Sequence, residues 1–188
     1  MSTIKQQTSF KLNRSAEELF PLFSAEGEKL WVPGWDYENI MGSTDLHEGY
    51  VFLTAGHHRS ERHEHDQHGS GHHGSGHHSS AHHRSGHHSP DHHDVPKTIW
   101  LVKRHEPSNY FVQFYRVEPD DKVGIVTVHC KPVTQESTEV EVAYEYIGLS
   151  KKGDDFVAGY TAEAHEEFIG HWPKLLVHYF DSLSDSVD

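Results

Sequence analysis

The sequence predicts an α+β domain in which a seven-stranded antiparallel sheet packs against a long C-terminal helix. Three features lead to this fold class. Residues 138–149 alternate between apolar and acidic side chains, residues 154–183 carry an apolar stripe at helical spacing, and a histidine-rich tract at residues 56–95 separates two groups of strands. The chain of 188 residues suits one domain, and we predict that the tract is a disordered insertion within that domain.

The first part of the chain predicts one strand followed by two short helices. Residues 3–12 have strand character. Ser15 and Glu18 form a capping box, in which the serine hydroxyl accepts from the Glu18 amide and the Glu18 carboxylate reaches back. Pro21 must shorten or bend the helix that follows. A second short helix at residues 26–31 ends before a Pro-Gly pair.

Six further strands complete the predicted sheet. They are expected at residues 35–40, 49–55, 98–104, 110–117, 123–131 and 138–149. In the last of them, Val140, Val142, Tyr144 and Tyr146 share one face, while glutamates occupy the other face. Such alternation places one face on the core and the other in water. The strand at 110–117 is apolar on both parities, so its inward face cannot be assigned from the sequence.

A long amphipathic helix is predicted at about residues 154–183. Its apolar stripe consists of Phe156, Tyr160, Ala164, Phe168, Trp172, Leu176, Tyr179 and Leu183. These residues recur every three or four positions, which is the spacing of one helix face. Gly170 and Pro173 predict a kink within the helix. A long helix against a curved sheet can enclose a cavity.

The composition excludes several classes of partner. The formal net charge of −13 argues against nucleic acid, because phosphate binding needs a basic surface. Cys130 is the only cysteine, which rules out an intramolecular disulfide and fits a reducing compartment. We expect it to be a small buried apolar residue. No signal-peptide pattern and no apolar run of about 20 residues is evident, so membrane insertion is not expected and the expected location is cytoplasmic.

The order of elements resembles that of the START-like (SRPBCC) superfamily, which shares the birch-pollen-allergen helix-grip fold. The resemblance rests on the Ser-Ala-Glu-Glu-Leu-Phe run Ser15–Phe20, on the segment Glu28–Trp35, and on the strand Glu139–Leu149 followed by the long helix. It covers the chain outside the tract at residues 56–95. It implies a curved seven-stranded sheet around the last helix, with a pocket that binds lipids, sterols or polyketides. The superfamily has no common catalytic motif, so the resemblance implies no catalytic residue.

The histidine-rich tract departs from that pattern and predicts metal binding. It holds 15 histidines between His57 and His93. The candidate ligands are the pairs His72 and His73, His77 and His78, His82 and His83, His87 and His88, and His92 and His93. Neutral imidazole suits Zn, Ni, Cu and Co, and no spacing selects one of them, so we expect several similar sites of weak to moderate affinity and poor selectivity. The alternatives are a drifted low-complexity tract without a role and a pH sensor.

The remaining candidates each have a plain structural alternative. The predicted ligand-binding residues are Trp35, Trp100, Tyr144, Tyr146, Phe168 and Trp172, and each is also a reasonable core residue. His129 is either a general base or a hydrogen-bonded structural residue, and the structural role is favoured. Glu167, His171 and His178 lie on one face of the last helix, where a solvated surface is favoured over a metal site.

Together these patterns favour a protein that binds a small apolar molecule, such as a lipid or polyketide-like compound, and carries a metal-binding loop. No cofactor is required for that function. The first alternative is an enzyme of the cyclase or hydratase type, for which Tyr144, Tyr146 and His129 are the candidate acid–base residues. The second alternative is a metal buffer or delivery protein.

Overall fold

A computed structural model describes residues 1–55 and 96–184. The strands are β1 (Thr3–Leu12), β2 (Glu38–Asn39), β3 (Val51–Thr54), β4 (Thr98–Glu106), β5 (Phe111–Glu118), β6 (Lys122–Thr134) and β7 (Ser137–Gly148). The helices are α1 (Ala16–Leu19), α2 (Ala25–Glu28), α3 (Lys151–Gly159), α4 (Ala162–Gly170) and α5 (Trp172–Ser184), and short 3-10 turns lie at Phe20–Phe23 and Pro107–Asn109.

The strands form one curved, fully antiparallel sheet in the order β1-β7-β6-β5-β4-β3-β2. The first and last strands are therefore neighbours, and β7 lies between β1 and β6. Strands β3 and β4 pair directly, so that Thr54 lies opposite Thr98 across the segment that leaves at residue 55 and returns at residue 96. The α+β class and the seven-stranded antiparallel sheet are confirmed.

The helices after β1 form as their capping residues predict. The Ser15 hydroxyl accepts from the Glu18 amide at 3.2 Å, and the Glu18 carboxylate accepts from the Ser15 amide at 3.0 Å. Pro21 shortens α1 to one turn, because the chain continues as a 3-10 turn at Phe20–Phe23. Helix α2 needs a glycine at position 27, since a Cβ there would lie 2.2 Å from the Pro21 carbonyl oxygen.

The C-terminal helical stretch is divided more than the sequence predicted. A single helix from residue 154 with one kink was expected, whereas α3, α4 and α5 are separate elements. The first break follows Gly159, where the Thr161 hydroxyl accepts from the Ala164 amide and caps a new helix. The second break lies at His171, and Pro173 occupies the first turn of α5, where its missing amide proton is tolerated.

The strand boundaries differ from the predicted ones mainly near the sheet edge. Residues 35–40 were expected to form a strand, but only Glu38–Asn39 pairs with β3. Trp35 follows Gly34, whose φ of +72° turns the chain before the strand can begin. Within the described part of the chain, no helix is both long and apolar enough to span a membrane.

Candidate ligand site on the concave face

The concave face of the sheet carries the side chains at even positions of β5 to β7, and in β4 those of Thr98, Trp100 and Val102. In β7 these include Val140, Val142, Tyr144 and Tyr146, whose exposed fractions are 0%, 0%, 6% and 2%. The predicted parity of this strand is therefore confirmed. Gly124 of β6 faces Tyr146, and a Cβ at that position would lie 3.1 Å from the Tyr146 ring. The absence of a side chain at Gly124 therefore leaves room for the ring to pack against the sheet.

Four of the six predicted ligand-binding residues meet between β7 and the last two helices. The rings of Tyr144 and Phe168 lie edge to face with centroids 5.9 Å apart, and Phe168 and Trp172 repeat this geometry at 5.9 Å. Tyr146 lies beside Tyr144, with ring centroids 5.8 Å apart. Trp31 closes the group from the loop after α2, with its ring 5.5 Å from that of Trp172. We call these five side chains the aromatic cluster.

The other two predicted residues, Trp35 and Trp100, form a second group near β3. Their rings lie edge to face at 6.0 Å, and Trp100 stacks on Phe52 at 5.7 Å. Both indole N–H groups donate within the protein, Trp35 to the Ala25 carbonyl at 2.9 Å and Trp100 to the Thr54 hydroxyl at 3.1 Å. Both indole N–H groups are thus hydrogen-bonded within the protein. Contact of these rings with a ligand stays a prediction.

Arg116 of β5 connects the two groups and begins a charged region on the concave face. Its guanidinium donates to the Tyr146 hydroxyl at 3.3 Å, lies over the Trp100 ring at 5.7 Å and pairs with Glu118 at 3.1 Å. Lys122 pairs with Glu118 at 2.7 Å, and its side chain is 9% exposed. Sequence analysis missed this cluster because the inward face of β5 could not be assigned.

Glu28, the last residue of α2, is the second feature that sequence analysis missed. Its side chain is half-buried and makes no hydrogen bond or ion pair with another described residue. Desolvation by burial raises its pKa from the usual 4.5 to about 8. Desolvation by burial, Tyr146 and the negative charge of Glu28, in that order, raise the pKa of Tyr144. Because α2 is only one turn long, no hydrophobic period marks Glu28 as inward-facing.

Tyr144 is a buried member of the aromatic cluster, and its ring contacts those of Tyr146 and Phe168. Desolvation is the largest cause that raises its pKa well above the usual 10, and the charge of Arg116 acts in the opposite direction. Its hydroxyl makes no hydrogen bond with another residue of the ranges 1–55 and 96–184. Tyr144 therefore presents a phenol hydroxyl whose hydrogen-bonding capacity the described residues do not use.

His165 of α4 is buried beside Tyr144, but both of its ring nitrogens are hydrogen-bonded. The Tyr160 hydroxyl lies 2.7 Å from Nδ1, and Nε2 lies 3.3 Å from the Val142 carbonyl oxygen. A carbonyl can only accept, so Nε2 carries the proton and Nδ1 accepts from Tyr160 in the neutral ring. Desolvation lowers the pKa of His165, which keeps the ring neutral. This residue holds α4 on β7 and has no free nitrogen for chemistry.

His129, the remaining acid–base candidate, lies on the outer face of the sheet. Its ring contacts the edge of Phe111 at 5.6 Å and lines an open cleft of about 410 Å³ near the turn after β4. It does not share a face with Tyr144 and Tyr146, because β6 alternates and its buried positions include Val128 and Cys130. Cys130 is 0% exposed, as predicted, and burial raises the pKa of its thiol to about 12.

The predicted metal ligands between His72 and His93 lie outside the described residues. Glu167, His171 and His178 are exposed on α4 and α5 and at the joint between them, as expected of a solvated face. In the ranges that the structure describes, no group of three histidine, cysteine or acidic side chains is placed to hold a metal ion.

Comparison with known proteins identifies the fold. No family model matches the chain, and no curated protein matches its sequence. Among solved structures, norcoclaurine synthase from Thalictrum flavum, in complex with dopamine and hydroxybenzaldehyde, matches with a TM-score of 0.55 and 12% identity over 94% of this chain and 88% of that one. Ara h 8.0201 matches with a TM-score of 0.56 and 8% identity over 96% of this chain and 99% of that one.

A third match has the same architecture. The di-domain aromatase/cyclase BexL from the BE-7585A biosynthetic pathway matches with a TM-score of 0.55 and 10% identity, and the match covers 95% of this chain and 46% of the BexL chain. At these identities the likeness concerns the fold alone. It agrees with the seven-stranded sheet, the C-terminal helices and the order of elements described above. The chain therefore has the helix-grip fold.

Proposed function

We propose that this protein binds a small apolar molecule that contains an aromatic ring, in the space between the concave face of the sheet and helices α4 and α5. The observation that carries the proposal is the aromatic cluster, in which the hydroxyl of the buried Tyr144 has no hydrogen-bond partner in the described residues. Ligand sites are concave and mostly apolar, with a few polar groups that orient the ligand.

The aromatic cluster provides the apolar part of such a site. Edge-to-face contacts between aromatic rings form over a range of positions. A ligand ring that joins the cluster is removed from water and is attracted to the cluster rings through their quadrupoles. Phe168 keeps part of its surface exposed although it contacts both Tyr144 and Trp172. A rotation of the Phe168 side chain would open the cluster beside Tyr144, so we expect a ligand to enter there. Norcoclaurine synthase, which shares the fold, was solved in complex with dopamine and hydroxybenzaldehyde, which are aromatic compounds.

A titration with a neutral fluorescent ligand, N-phenyl-1-naphthylamine, tests this function. We expect saturable binding that small aromatic ketones displace. Trp172→Leu should weaken binding, because it removes a ring that contacts both Phe168 and Trp31. The exposed residue His178 provides a control on the same helix, and His178→Ala should bind the dye as the parent does. A linear, non-saturable response of the parent protein would contradict the proposal.

Metal binding by the histidine pairs between His72 and His93 is a second proposal, which rests on the density of histidines in the sequence. Protons compete with metal for imidazole, so affinity should fall as the pH drops through about 6.5. The test is calorimetric titration of nickel and zinc at about pH 7.5 and about pH 5.5. The control is a variant in which a short Gly-Ser turn replaces residues 56–95. Equal binding by both proteins would move the metal sites elsewhere in the chain.

A further inference from the structure

The outer face of the sheet, opposite the helices, is apolar where β3 to β7 lie side by side. An antiparallel sheet with one face in water usually alternates between apolar and polar side chains. Strand β5 does not alternate in this way, because Tyr115 and Val117 point outward while Val112 and Phe114 are buried in the core. Packing of the core therefore does not explain the apolar side chains on the outward side of β5.

Neighbouring strands extend this apolar surface in two rows, which we call the outer apolar patch. The first row runs in register across five strands and consists of Leu53, Ile99, Val117, Val123 and Ile147. The second row consists of Val51, Leu101, Tyr115 and Ile125. Ile99 is 36% exposed, and the other side chains are half-buried. With strands about 4.8 Å apart and a same-face repeat of about 6.8 Å, the two rows cover about 300 Å². Apolar patches of this size often mark interaction sites.

We propose that the outer apolar patch is a self-association surface, on which a second copy of this chain packs its own patch, sheet against sheet. The parts of the chain outside the described residues do not supply a matching cover, because their apolar residues are only Ala81, Pro90, Val95 and Val187. A second copy supplies an equal apolar surface, and twofold packing of identical surfaces is the commonest arrangement in homo-oligomers. This inference is independent of the proposed ligand site, which lies on the opposite face of the sheet.

Charges on the two sides of the patch are complementary in such a dimer. On the β4 side, Lys103 places its Nζ 5.0 Å from the centre of the Tyr115 ring. On the β7 side, Glu145 follows Ile125 in the second row, with Lys5 of β1 beyond it. Neither Lys103 nor Glu145 makes an ion pair with another residue of the ranges 1–55 and 96–184. The two unpaired charges are therefore opposite in sign and lie on opposite sides of one apolar surface.

A twofold axis that runs along the strands between β5 and β6 brings these charges together. Two packed sheets keep their strands roughly aligned, and this axis places β4 of one copy over β7 of the other. Lys103 of each copy then faces Glu145 of the other, so the interface contains this ion pair twice. The same axis places Val117 against Val123 of the second copy. Because the sheet is curved, the apolar contact is closest at β5 and β6, and the longer charged side chains reach across from the flanks.

The size of the patch predicts the strength of the dimer. Each partner in a stable complex buries about 800 Å², which is more than the outer apolar patch provides. We therefore expect a weak and reversible dimer. Concentrations from about 5 µM to 500 µM cover the dissociation constants of such transient complexes.

Sedimentation velocity of the full-length protein over this concentration range tests the proposal. The buffer contains EDTA, so that metal ions held by histidines cannot bridge two copies. We expect the parent to show a monomer–dimer equilibrium. Ile99→Lys should abolish the dimer, because it places a charge within the apolar contact. Since Ile99 lies at the surface, this variant should keep the parental melting temperature and bind N-phenyl-1-naphthylamine as the parent does.

Reversal of the two charges tests the twofold arrangement. Lys103→Glu and Glu145→Lys should each raise the dissociation constant about tenfold, because each replaces two attractive contacts with two repulsive ones. The double variant restores opposite charges and should return to within about threefold of the parental value. Lys174→Glu makes the same charge change at an exposed position of α5, on the helix side of the sheet, and should leave the dissociation constant unchanged.

The outcomes separate a second copy from other occupants of the patch. A parent that stays monomeric at the highest concentration overturns the proposal. If that monomer floats with neutral phosphatidylcholine vesicles and Ile99→Lys does not, the patch contacts a lipid surface instead. A dimer that Ile99→Lys leaves intact has its interface elsewhere, which also overturns the proposal. Loss of the dimer in Ile99→Lys, together with rescue by the double charge reversal, supports it.

Discussion

Replacement of Glu28 by glutamine should stabilise the folded protein at neutral pH. The carboxyl group has a pKa of about 8 in the folded protein and about 4.5 in the unfolded chain. Between these two values the unfolded chain loses its proton while the folded protein keeps it, and each pH unit costs the folded state about 1.4 kcal/mol. Stability from this group is therefore fully present below pH 4.5 and is lost as the pH rises to about 8.

At pH 7 the two pKa values correspond to a loss of about 3 kcal/mol in the free energy of unfolding. We expect a loss of about 2–3 kcal/mol, because the side chain keeps some contact with solvent. Glutamine has nearly the same volume and no ionisation, so Glu28→Gln should remove most of this cost. For a domain of this size, the melting temperature should rise by about 5–10 °C.

The assay is urea denaturation of the parent and the variant at several pH values between about 5 and 9, with Glu17→Gln as the exposed control. The difference in unfolding free energy should be small at pH 5, grow through pH 7 and level off above pH 8. A difference that is absent at pH 8, or independent of pH, would show that Glu28 is ionised at no cost in the folded state and would refute the reasoning.

Three other perturbations follow from the buried groups and from the packing of α3. His165 is held neutral in the folded protein, whereas its unfolded pKa is near 6.5, so stability should fall as the pH drops below about 6.5. His165→Gln should reduce this loss of unfolding free energy at acidic pH, as measured by urea denaturation. The same substitution at the exposed His178 should not. The Cys130 thiol should resist a disulfide reagent at about pH 8 until urea unfolds the protein, because burial keeps it protonated. Gly153→Ala should destabilise by more than about 2 kcal/mol in thermal denaturation, since a Cβ would lie 1.9 Å from a backbone oxygen of the loop between β5 and β6. Gly159→Ala in the same helix meets nothing within 4 Å and should be neutral or slightly stabilising.

Local sequence patterns predicted the parts of the fold that depend on near neighbours. The capping box at Ser15 and the inward parity of Tyr144 and Tyr146 both follow from spacings of two or three residues. The break after Gly159 was missed because the apolar stripe continues across it and the Thr161 cap was not recognised, whereas the break at His171 lies where Gly170 and Pro173 predicted a kink.

The centre of the candidate site was only half predicted, for a related reason. The aromatic rings were found because they repeat along a strand and a helix. Glu28 and Arg116 were not, because each owes its position to tertiary packing. One lies on a single-turn helix without a hydrophobic period, and the other on a strand whose two faces are equally apolar. An acidic residue in a short helix is ordinarily solvated, so nothing in the sequence marks Glu28 as half-buried.

The pairing of Thr54 with Thr98 has a consequence for how this chain tolerates change in length. The two residues end adjacent antiparallel strands, so the sheet itself holds together the points at which residues 56–95 leave and rejoin the chain. Lengthening a connection between fixed ends costs only about 0.6 kcal/mol for each doubling. The connection between β3 and β4 is therefore a suitable site for the insertion of foreign sequence. A peptide epitope, a metal-binding motif or a small folded module could be exchanged there while the sheet keeps its hydrogen-bonding register.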